Sequence, residues 1–434
     1  MIATTIGKTF LKTYNQKFQT DYSAKTFFIE ELVPLFFDYP KYMRTGGNAP
    51  LQNPKFKGGR RPDAEDRKQR IANTIKKIDT DPAGSSPIGY PSDNINATTS
   101  GQVSNLGRTV SSEEAYYSWI GAGFSIGVKG GLSFLFNEAE ILLSLYEGWQ
   151  YYRNYLEEIP NLAPNQIDTW NGQWLAHRYH HKYFNPSSPL ANFDPFAPPK
   201  NGEVRLDTQV WTRVVFGLSQ VFPNNTLLAY VFNLGQMNQT VGFIPIKMQR
   251  FTKPIRLYKK LFGENTYWED ADTIEQIYGN KNSLYQACER GVIGVRALEP
   301  KALRDLRKNS NKKIKYDSDD RTTVVSFRTY ISWILAMLNN EQLHQLSKKI
   351  VQLFLTYEST SERGKMTKSR AIENLLKSRS PDGFLQELLG VAEEATAEEG
   401  AQLLALIEQV NKLRIDNFRR FLILLKLEYA IAKK

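Results

Sequence analysis

The segment HRYHH contains the residue types and spacing that could hold a metal ion. His177 and His181 stand four residues apart, so one helix face could present both rings. A zinc protease also needs a glutamate between the two histidines, and none is present. A packed or surface cluster of histidines is the preferred interpretation, and the sequence predicts neither a metal site nor a cofactor.

A second candidate chemistry is metal-dependent cleavage of nucleic acid. Glu299-Pro300-Lys301 follows Asp270 and Asp272, an order that nucleases use. Pro300 would disturb the strand on which such a pair must lie. No Ser/His/Asp or Cys/His set stands out around the single cysteine, Cys288. The chain is therefore predicted not to be an enzyme, and a restriction-type nuclease stays an alternative.

Five clustered glycines resemble a nucleotide-binding loop, but their spacing matches neither the dinucleotide nor the phosphate-loop pattern. They are Gly121, Gly123, Gly127, Gly130 and Gly131. Strand glycines, or a close approach of two backbones, explain them better.

The excess of basic residues is the feature of the sequence that indicates most about its partners. The chain has 56 Lys and Arg against 45 Asp and Glu, a net charge of +11 and a pI near 9.3. This balance favours a polyanionic partner, which could be DNA, RNA or an anionic membrane surface, although a merely soluble basic enzyme would share it.

The basic residues form three clusters. The first runs from Lys41 to Lys77 and is interrupted by glycines that allow a backbone to approach phosphates. The second contains Arg304, Arg307, Lys308, Lys312, Lys313 and Lys315. The third contains Lys412, Arg414, Arg419, Arg420 and Lys426. Separate patches suit a long polyanion better than a small substrate.

Residue periodicity predicts the elements that must position these clusters. Residues 115–135 are predicted to form a strand pair or a strand followed by a turn, and a helix is predicted from Glu138 to about Glu157. VWTRVVFGL, TLLAYVFNL and TVGFIPI are typical of strands. Thr396 with Glu399 forms a capping-box pattern within a long helical region. The predicted fold is α+β: a mixed N-terminal body with irregular basic loops, and a C-terminal all-α helical bundle.

The polar, charged stretch 309–321 predicts a boundary between a body of residues 1–320 and a bundle of residues 321–434. With 41% hydrophobic residues the chain can bury a substantial core. The opening residues lack the apolar core of a secretory signal, and no apolar run reaches the length of a membrane span. A single cysteine fits a reducing compartment, so a cytoplasmic location without membrane association is expected.

This layout, together with the segment SAKTFFIEELVPLFFDYPKYMRTGGNAPLQNPK, resembles the large subunit of type I CRISPR-Cas surveillance complexes. The resemblance implies a non-catalytic, DNA-binding subunit that recognises the protospacer-adjacent motif and stabilises the R-loop. The implied partners are double-stranded target DNA, the displaced single strand, a guide-RNA ribonucleoprotein with its backbone subunits, and a recruited helicase-nuclease. Guide pairing would supply the remaining sequence specificity.

The resemblance also implies roles for particular residues. Asn48, flanked by Gly46 and Gly47, would read the motif, with Gln102 and Asn105 as second candidates. Duplex phosphates would be held by Lys55, Lys57, Arg60 and Arg61, and the displaced single strand by Arg414, Arg419 and Arg420. A protein-binding scaffold is the other alternative. An internal start at Met337 or Met366 could yield a separate small subunit.

Overall fold

The computed structural model describes residues 2–44, 63–82, 110–180, 183–233, 240–279, 284–289, 291–309, 312, 314–359 and 365–433. These residues form two compact units. Unit 1 comprises Met1–Met248 and Ser283–Val292, and unit 2 comprises Gln249–Asn282 and Ile293–Lys434. The predicted α+β class with a helical C-terminal region is confirmed.

Helices dominate both units. In chain order the described helices are α1 (Ile2–Phe18), α2 (Ala24–Phe27), α3 (Val33–Phe36), α4 (Ala64–Thr80), α5 (Ser112–Ala122), α6 (Ala139–Glu158), α7 (Ile167–Arg178), α8 (Trp211–Val221), α9 (Met248–Phe251), α10 (Lys253–Phe262), α11 (Glu264–Gly279), α12 (Leu284–Cys288), α13 (Lys301–Lys308), α14 (Arg321–Leu338), α15 (Gln342–Ser359), α16 (Lys365–Lys377), α17 (Pro381–Ala392), α18 (Ala397–Lys412) and α19 (Ile415–Ala432). A π-helical turn, Phe28–Leu32, joins α2 to α3, and a 3-10 turn spans Val295–Leu298.

Unit 1 contains an antiparallel four-stranded sheet in the order β1-β2-β3-β4. Its strands are β1 (Ile126–Val128), β2 (Leu132–Phe136), β3 (Thr226–Asn233) and β4 (Thr240–Lys247). The tight turn between β1 and β2 uses Gly130 and Gly131, whose φ angles of 103° and 78° suit glycine. The glycine-rich segment is therefore a hairpin.

Two of the predicted strands differ from the structure. The first half of residues 115–135 is helix α5, which begins with a capping box between Ser111 and Glu114. The run VWTRVVFGL forms α8, and it is buried along most of its length. The run is rich in β-branched and aromatic residues, which are typical of strands, and its packing against α7 outweighs that local preference. TLLAYVFNL and TVGFIPI form β3 and β4 as predicted.

In unit 1, helices α1 and α5 approach very closely. A Cβ atom added at Gly121 would lie 1.8 Å from the carbonyl oxygen of Ala3, and one added at Gly7 would lie 2.0 Å from that of Tyr117. Glycine is required here because no side chain fits between the two backbones. The expected close approach of backbones at the glycine cluster is found at Gly121.

Unit 2 is helical throughout its described residues apart from the short connections. Helices α10 and α11 pack against α14, while α15 packs against α18 and α19. Residues upstream of the predicted boundary near 320 thus share a core with the C-terminal helices, and unit 2 begins at Gln249. The polar stretch lies within unit 2 and ends at Asp320, whose carboxylate accepts from the first backbone amides of α14.

The predicted capping box at the start of α18 is confirmed. The Thr396 hydroxyl accepts from the backbone amide of Glu399, whose carboxylate accepts in return from the amide of Thr396 at 2.8 Å. Among the described residues, no helix combines the length and the apolar character needed to cross a lipid bilayer.

Candidate nucleic-acid interface

A cavity of about 270 Å³ in unit 2 brings basic residues from three parts of the chain together. It lies among α13, the link between α16 and α17, and α19. Its lining residues are Leu306, Arg307, Lys308, Asn309, Ser378, Arg379, Arg419, Leu422, Ile423 and Lys426. Five of these described residues are basic and none is acidic or aromatic, so the cavity suits an anionic group better than a nucleobase.

Helix α19 supplies one face of the cavity. Leu422 and Ile423 follow Arg419 by three and four residues, and Lys426 follows them by four and three, the intervals that align side chains on a helix. The remaining faces are largely buried, for example at Phe421 and Leu425, because α19 packs against α14 and α15. The helix is thereby fixed in place, and its basic positions open into the cavity.

Helix α13 supplies the second group of cations. Leu303 and Leu306 are buried and orient the helix. Arg307 is held by Glu299: its Nε and Nη2 donate to the two carboxylate oxygens at 3.1 and 3.2 Å. Lys308 is exposed at the end of the helix. The Arg307 charge is therefore largely compensated, whereas Lys308 adds an exposed positive charge.

The link between α16 and α17 supplies the third group. Helix α16 ends at Lys377, and Pro381 begins α17 with Ser380 as its N-cap. Proline is favoured in the first helical turn and ends the preceding helix, which leaves Ser378 and Arg379 in a short connection beside α19. Arg379 is exposed.

Lys426 carries its positive charge in an unfavourable environment. Burial lowers the pKa of Lys426 to about 8, and the nearby positive charge of Lys377 adds to the effect. The Lys426 side chain is only partly exposed. An anion bound beside Lys426 would favour its charged form, because a nearby negative charge opposes the effects of burial and of Lys377.

The structure separates the residues of the third basic cluster. Arg419 lines the cavity, and Arg414 is exposed at the N-cap position of α19. Arg420 is only 5% exposed. Its guanidinium donates to the Asp416 carbonyl oxygen at 3.1 Å and to Asn417 Oδ1 at 3.2 Å. Arg420 therefore stabilises the helix, and its predicted contact with a single strand does not fit its location.

The other predicted contact residues lie outside the described residues. They are Gly46, Gly47, Asn48, Lys55, Lys57, Arg60 and Arg61, together with Gln102 and Asn105. Their proposed roles in motif reading and duplex binding stay predictions.

Arg379 and Lys377 were missed by the sequence reasoning. The available signal was a pair of basic residues flanking Ser378, just before a capped proline helix start. The second basic cluster did indicate Arg307 and Lys308, and the third indicated Lys426. Because these residues lie far apart in the sequence, the sequence did not indicate that they line one cavity.

The residues that the sequence suggested for metal binding or catalysis are packed in the interior of the protein. His177 is buried, with its Nε2 2.8 Å from the Pro189 carbonyl oxygen, so it is a packed histidine. Asp270 is buried and accepts from the Tyr258 hydroxyl at 2.8 Å and from Arg321 at 3.1 Å. Burial raises the pKa of Cys288 to about 11, which makes its thiol a poor nucleophile at neutral pH. No group of three or more His, Cys, Asp or Glu side chains that could hold a metal occurs among the described residues.

Comparison with known proteins gives no relative: no protein-family model, no curated protein and no solved structure matches this chain.

Proposed function

We propose that this chain is a non-catalytic nucleic-acid-binding protein whose unit 2 holds the phosphate groups of a strand at the cavity between α13 and α19. The observation that carries the proposal is the convergence of basic residues from three distant segments on one cavity that has no acidic residue among its described lining residues. Exposed Lys308, Arg379 and Arg419 are suited to phosphate oxygens, since arginine can donate to them in pairs.

The part of the lining that the structure describes contains no aromatic residue, which supports contact with phosphate rather than with bases. Binding of this kind does not depend on sequence, because every nucleotide carries the same backbone charge. Leu422 and Ile423 lower the polarity of the cavity wall, which strengthens the interaction between the cations and a bound anion.

In the fuller form that the family resemblance suggests, the chain is the large subunit of a type I CRISPR-Cas surveillance complex and acts in the cytoplasm. The N-terminal basic loop would then read the protospacer-adjacent motif through Asn48, and unit 2 would hold the displaced strand. Guide-RNA and backbone subunits would complete the complex, which would recruit a helicase-nuclease.

A salt titration of single-stranded DNA binding tests the phosphate contact. The full chain is titrated with a fluorescent oligonucleotide across several salt concentrations, and the logarithm of affinity is plotted against that of salt. Changing Arg379 and Arg419 together to Gln should weaken binding and reduce the steepness by about 1.4, since each lost contact to a single strand contributes about 0.7.

The matched control changes Lys348 and Lys349 of α15 to Gln. Both are exposed, and neither lines the cavity, so this variant loses the same formal charge elsewhere on unit 2. It should keep nearly the wild-type slope. Equal slopes for the cavity variant and the wild type, or equal losses in both variants, would reject the cavity as the phosphate site.

A further inference from the structure

One face of the strand pair β3–β4 in unit 1 presents apolar side chains to solvent. Tyr230 lies opposite Phe243 and Leu228 lies opposite Pro245 in the strand register. Because alternate residues of a strand point to the same side, these four side chains share one face of the sheet. Phe243 is 59% exposed and Leu228 is 52% exposed, whereas Ala229, which points to the other side, is fully buried.

The open part of this face is confined to β3 and β4. Leu135 of β2 lies opposite Tyr230 and therefore belongs to the same face, yet it is only 1% exposed. At the β1 end, a Cβ atom added at Gly127 would lie 3.2 Å from the backbone of Asp168 in α7. Helix α7 thus covers the β1 side of the face, and the side chains of β3 and β4 remain accessible.

The aromatic rings on this face support one another. The ring centroid of Tyr230 lies 5.7 Å from that of Phe232 and 5.4 Å from that of Phe243. Phe232 is buried, and the Tyr230 hydroxyl lies 3.4 Å from the Thr240 hydroxyl. The exposed Phe243 ring is therefore backed by a ring that is itself held in place. A ring fixed in this way loses less conformational entropy when a ligand stacks on it.

The charge of the strand pair suits an anionic ligand. Within β3 and β4 there is no acidic residue, and Lys247 is the only charged one. Lys247 follows Pro245 by two residues, so it lies on the face that carries Phe243. Sites for single-stranded nucleic acid combine aromatic rings, on which bases stack, with cations that contact the backbone. This face has both components, whereas the cavity of unit 2 has no aromatic residue among its described lining residues.

The size and the edge of the face also indicate which ligand it suits. An aromatic side chain offers about 150–250 Å² at most, so Phe243 and Leu228 together fall well short of the ~800 Å² that each partner of a stable protein interface buries. β4 is the last strand of the sheet, but Pro245 has no amide hydrogen to donate and α12 packs against β4, which disfavours an added strand. One or two nucleobases need only a ring face each.

We propose that this face is a base-stacking site for single-stranded nucleic acid, in which a nucleobase stacks on Phe243 and Lys247 contacts a neighbouring phosphate. The base site rests on the proposed function for the class of its partner. It belongs to unit 1, whereas the phosphate cavity belongs to unit 2. Stacking tolerates any base, because every base has an aromatic face.

The test compares a single-stranded oligonucleotide with one of equal length that is abasic throughout. The two carry the same backbone charge and differ in the bases available for stacking. Binding to the full chain is measured by fluorescence anisotropy at several salt concentrations. The oligonucleotide with bases should bind about tenfold tighter, which corresponds to about 1.4 kcal/mol and lies within the range for one base stacked on an aromatic side chain.

Substitutions of Phe243 separate the ring from its apolar character. Phe243→Leu keeps an apolar side chain and should remove most of the preference for bases. It should leave the salt slope unchanged, because no charge is lost. Phe243→Trp retains an aromatic ring and should retain the preference. The matched control is Phe18→Leu, since Phe18 is 46% exposed at the end of α1 rather than on the sheet. This variant should bind both oligonucleotides as the wild type does.

The outcomes distinguish the base site from the proposed function. Equal binding of the two oligonucleotides by the wild type, or an unchanged preference in Phe243→Leu, would overturn the base site. The proposed function would still stand if changing Arg379 and Arg419 to Gln lowered the salt slope. A preference that depends on Phe243, together with an unchanged slope in the cavity variant, would support the base site and reject the cavity.

Two other results also count against the base site. If neither oligonucleotide binds the full chain, the base site and the proposed function both fail. If the wild type self-associates in sedimentation experiments, and Phe243→Leu abolishes this without affecting oligonucleotide binding, the face is occupied by a second copy of the chain and the base site is overturned.

Discussion

Replacing Lys426 with methionine is expected to stabilise unit 2, although it removes a cation that lines the proposed phosphate site. Burial and the charge of Lys377 lower the pKa of Lys426 to about 8, so the folded protein holds this proton less firmly than the unfolded chain does. Methionine keeps an unbranched side chain of similar length and removes the charge. Its apolar end can pack beside Leu422 and Ile423.

The size of the effect follows from the difference in proton affinity. A fall in pKa from 10.5 to about 8 corresponds to about 3 kcal/mol against the charged form, at roughly 1.4 kcal/mol for each tenfold change. Because the side chain is partly exposed, solvent screens part of this cost. We therefore expect Lys426→Met to raise the free energy of unfolding by about 1–2 kcal/mol at pH 7.

The stability gained by Lys426→Met should decrease as the pH rises. Between pH 8 and 10.5 the unfolded chain holds the lysine proton while the folded chain has released it. Stability of the wild type therefore rises with pH across this window relative to the variant. The difference in the free energy of unfolding between Lys426→Met and the wild type should be largest below pH 8 and should become smaller towards pH 10.5.

Calorimetric unfolding of the full chain at pH 7, 8.5 and 9.5, in phosphate-free buffer, measures this difference. Lys412→Met on α18 serves as the control, since Lys412 and its partner Glu408 are 68% and 71% exposed. It should change stability by less than about 0.5 kcal/mol. A destabilised Lys426→Met protein at pH 7, or a difference that does not vary with pH, would refute the reasoning.

Three further substitutions test the packing by urea unfolding. Gly121→Ala should destabilise unit 1 by about 3 kcal/mol or more, because its Cβ would lie 1.8 Å from the Ala3 carbonyl oxygen; Gly390→Ala on α17, where nothing lies within 4 Å, should be neutral or stabilising. Asp270→Ala should cost about 1–3 kcal/mol, since it leaves the buried Tyr258 hydroxyl without its acceptor. Thr396→Ala should cost about 1 kcal/mol through loss of the α18 cap, and an unchanged midpoint would contradict that contribution. A Gly121→Ala protein as stable as the wild type would show that α1 and α5 lie farther apart.

The sequence predicted the elements whose signals are local. The capping box at Thr396 and the helix from about Glu138 lie where the residue patterns placed them, because caps and amphipathic periods depend on neighbouring residues. Helix α8 was predicted as a strand because its β-branched and aromatic residues favour strands, although its apolar residues also recur at helical spacing. Tertiary packing, rather than local preference, decides such segments.

The candidate site could be predicted only in part, because it depends on contacts between distant segments. The sequence marked Lys308 and Arg419 as members of two separate basic clusters, and it missed Arg379. Charge density along the chain cannot indicate which side of a helix faces a cavity. Arg419 and Arg420 are neighbours in sequence, yet one lines the cavity and the other is buried against α14 near Trp333.

Lysine footprinting tests the central claim most directly. The full chain is treated briefly with an amine-acetylating reagent, with and without a saturating single-stranded oligonucleotide, and labelling is measured at each lysine by mass spectrometry. Bound nucleic acid should protect Lys308 and Lys426 and leave exposed Lys348 and Lys349 of α15 unchanged. Labelling of Lys308 and Lys426 that is unchanged while the oligonucleotide is bound, or protection spread evenly over all four lysines, would contradict a phosphate site in this cavity.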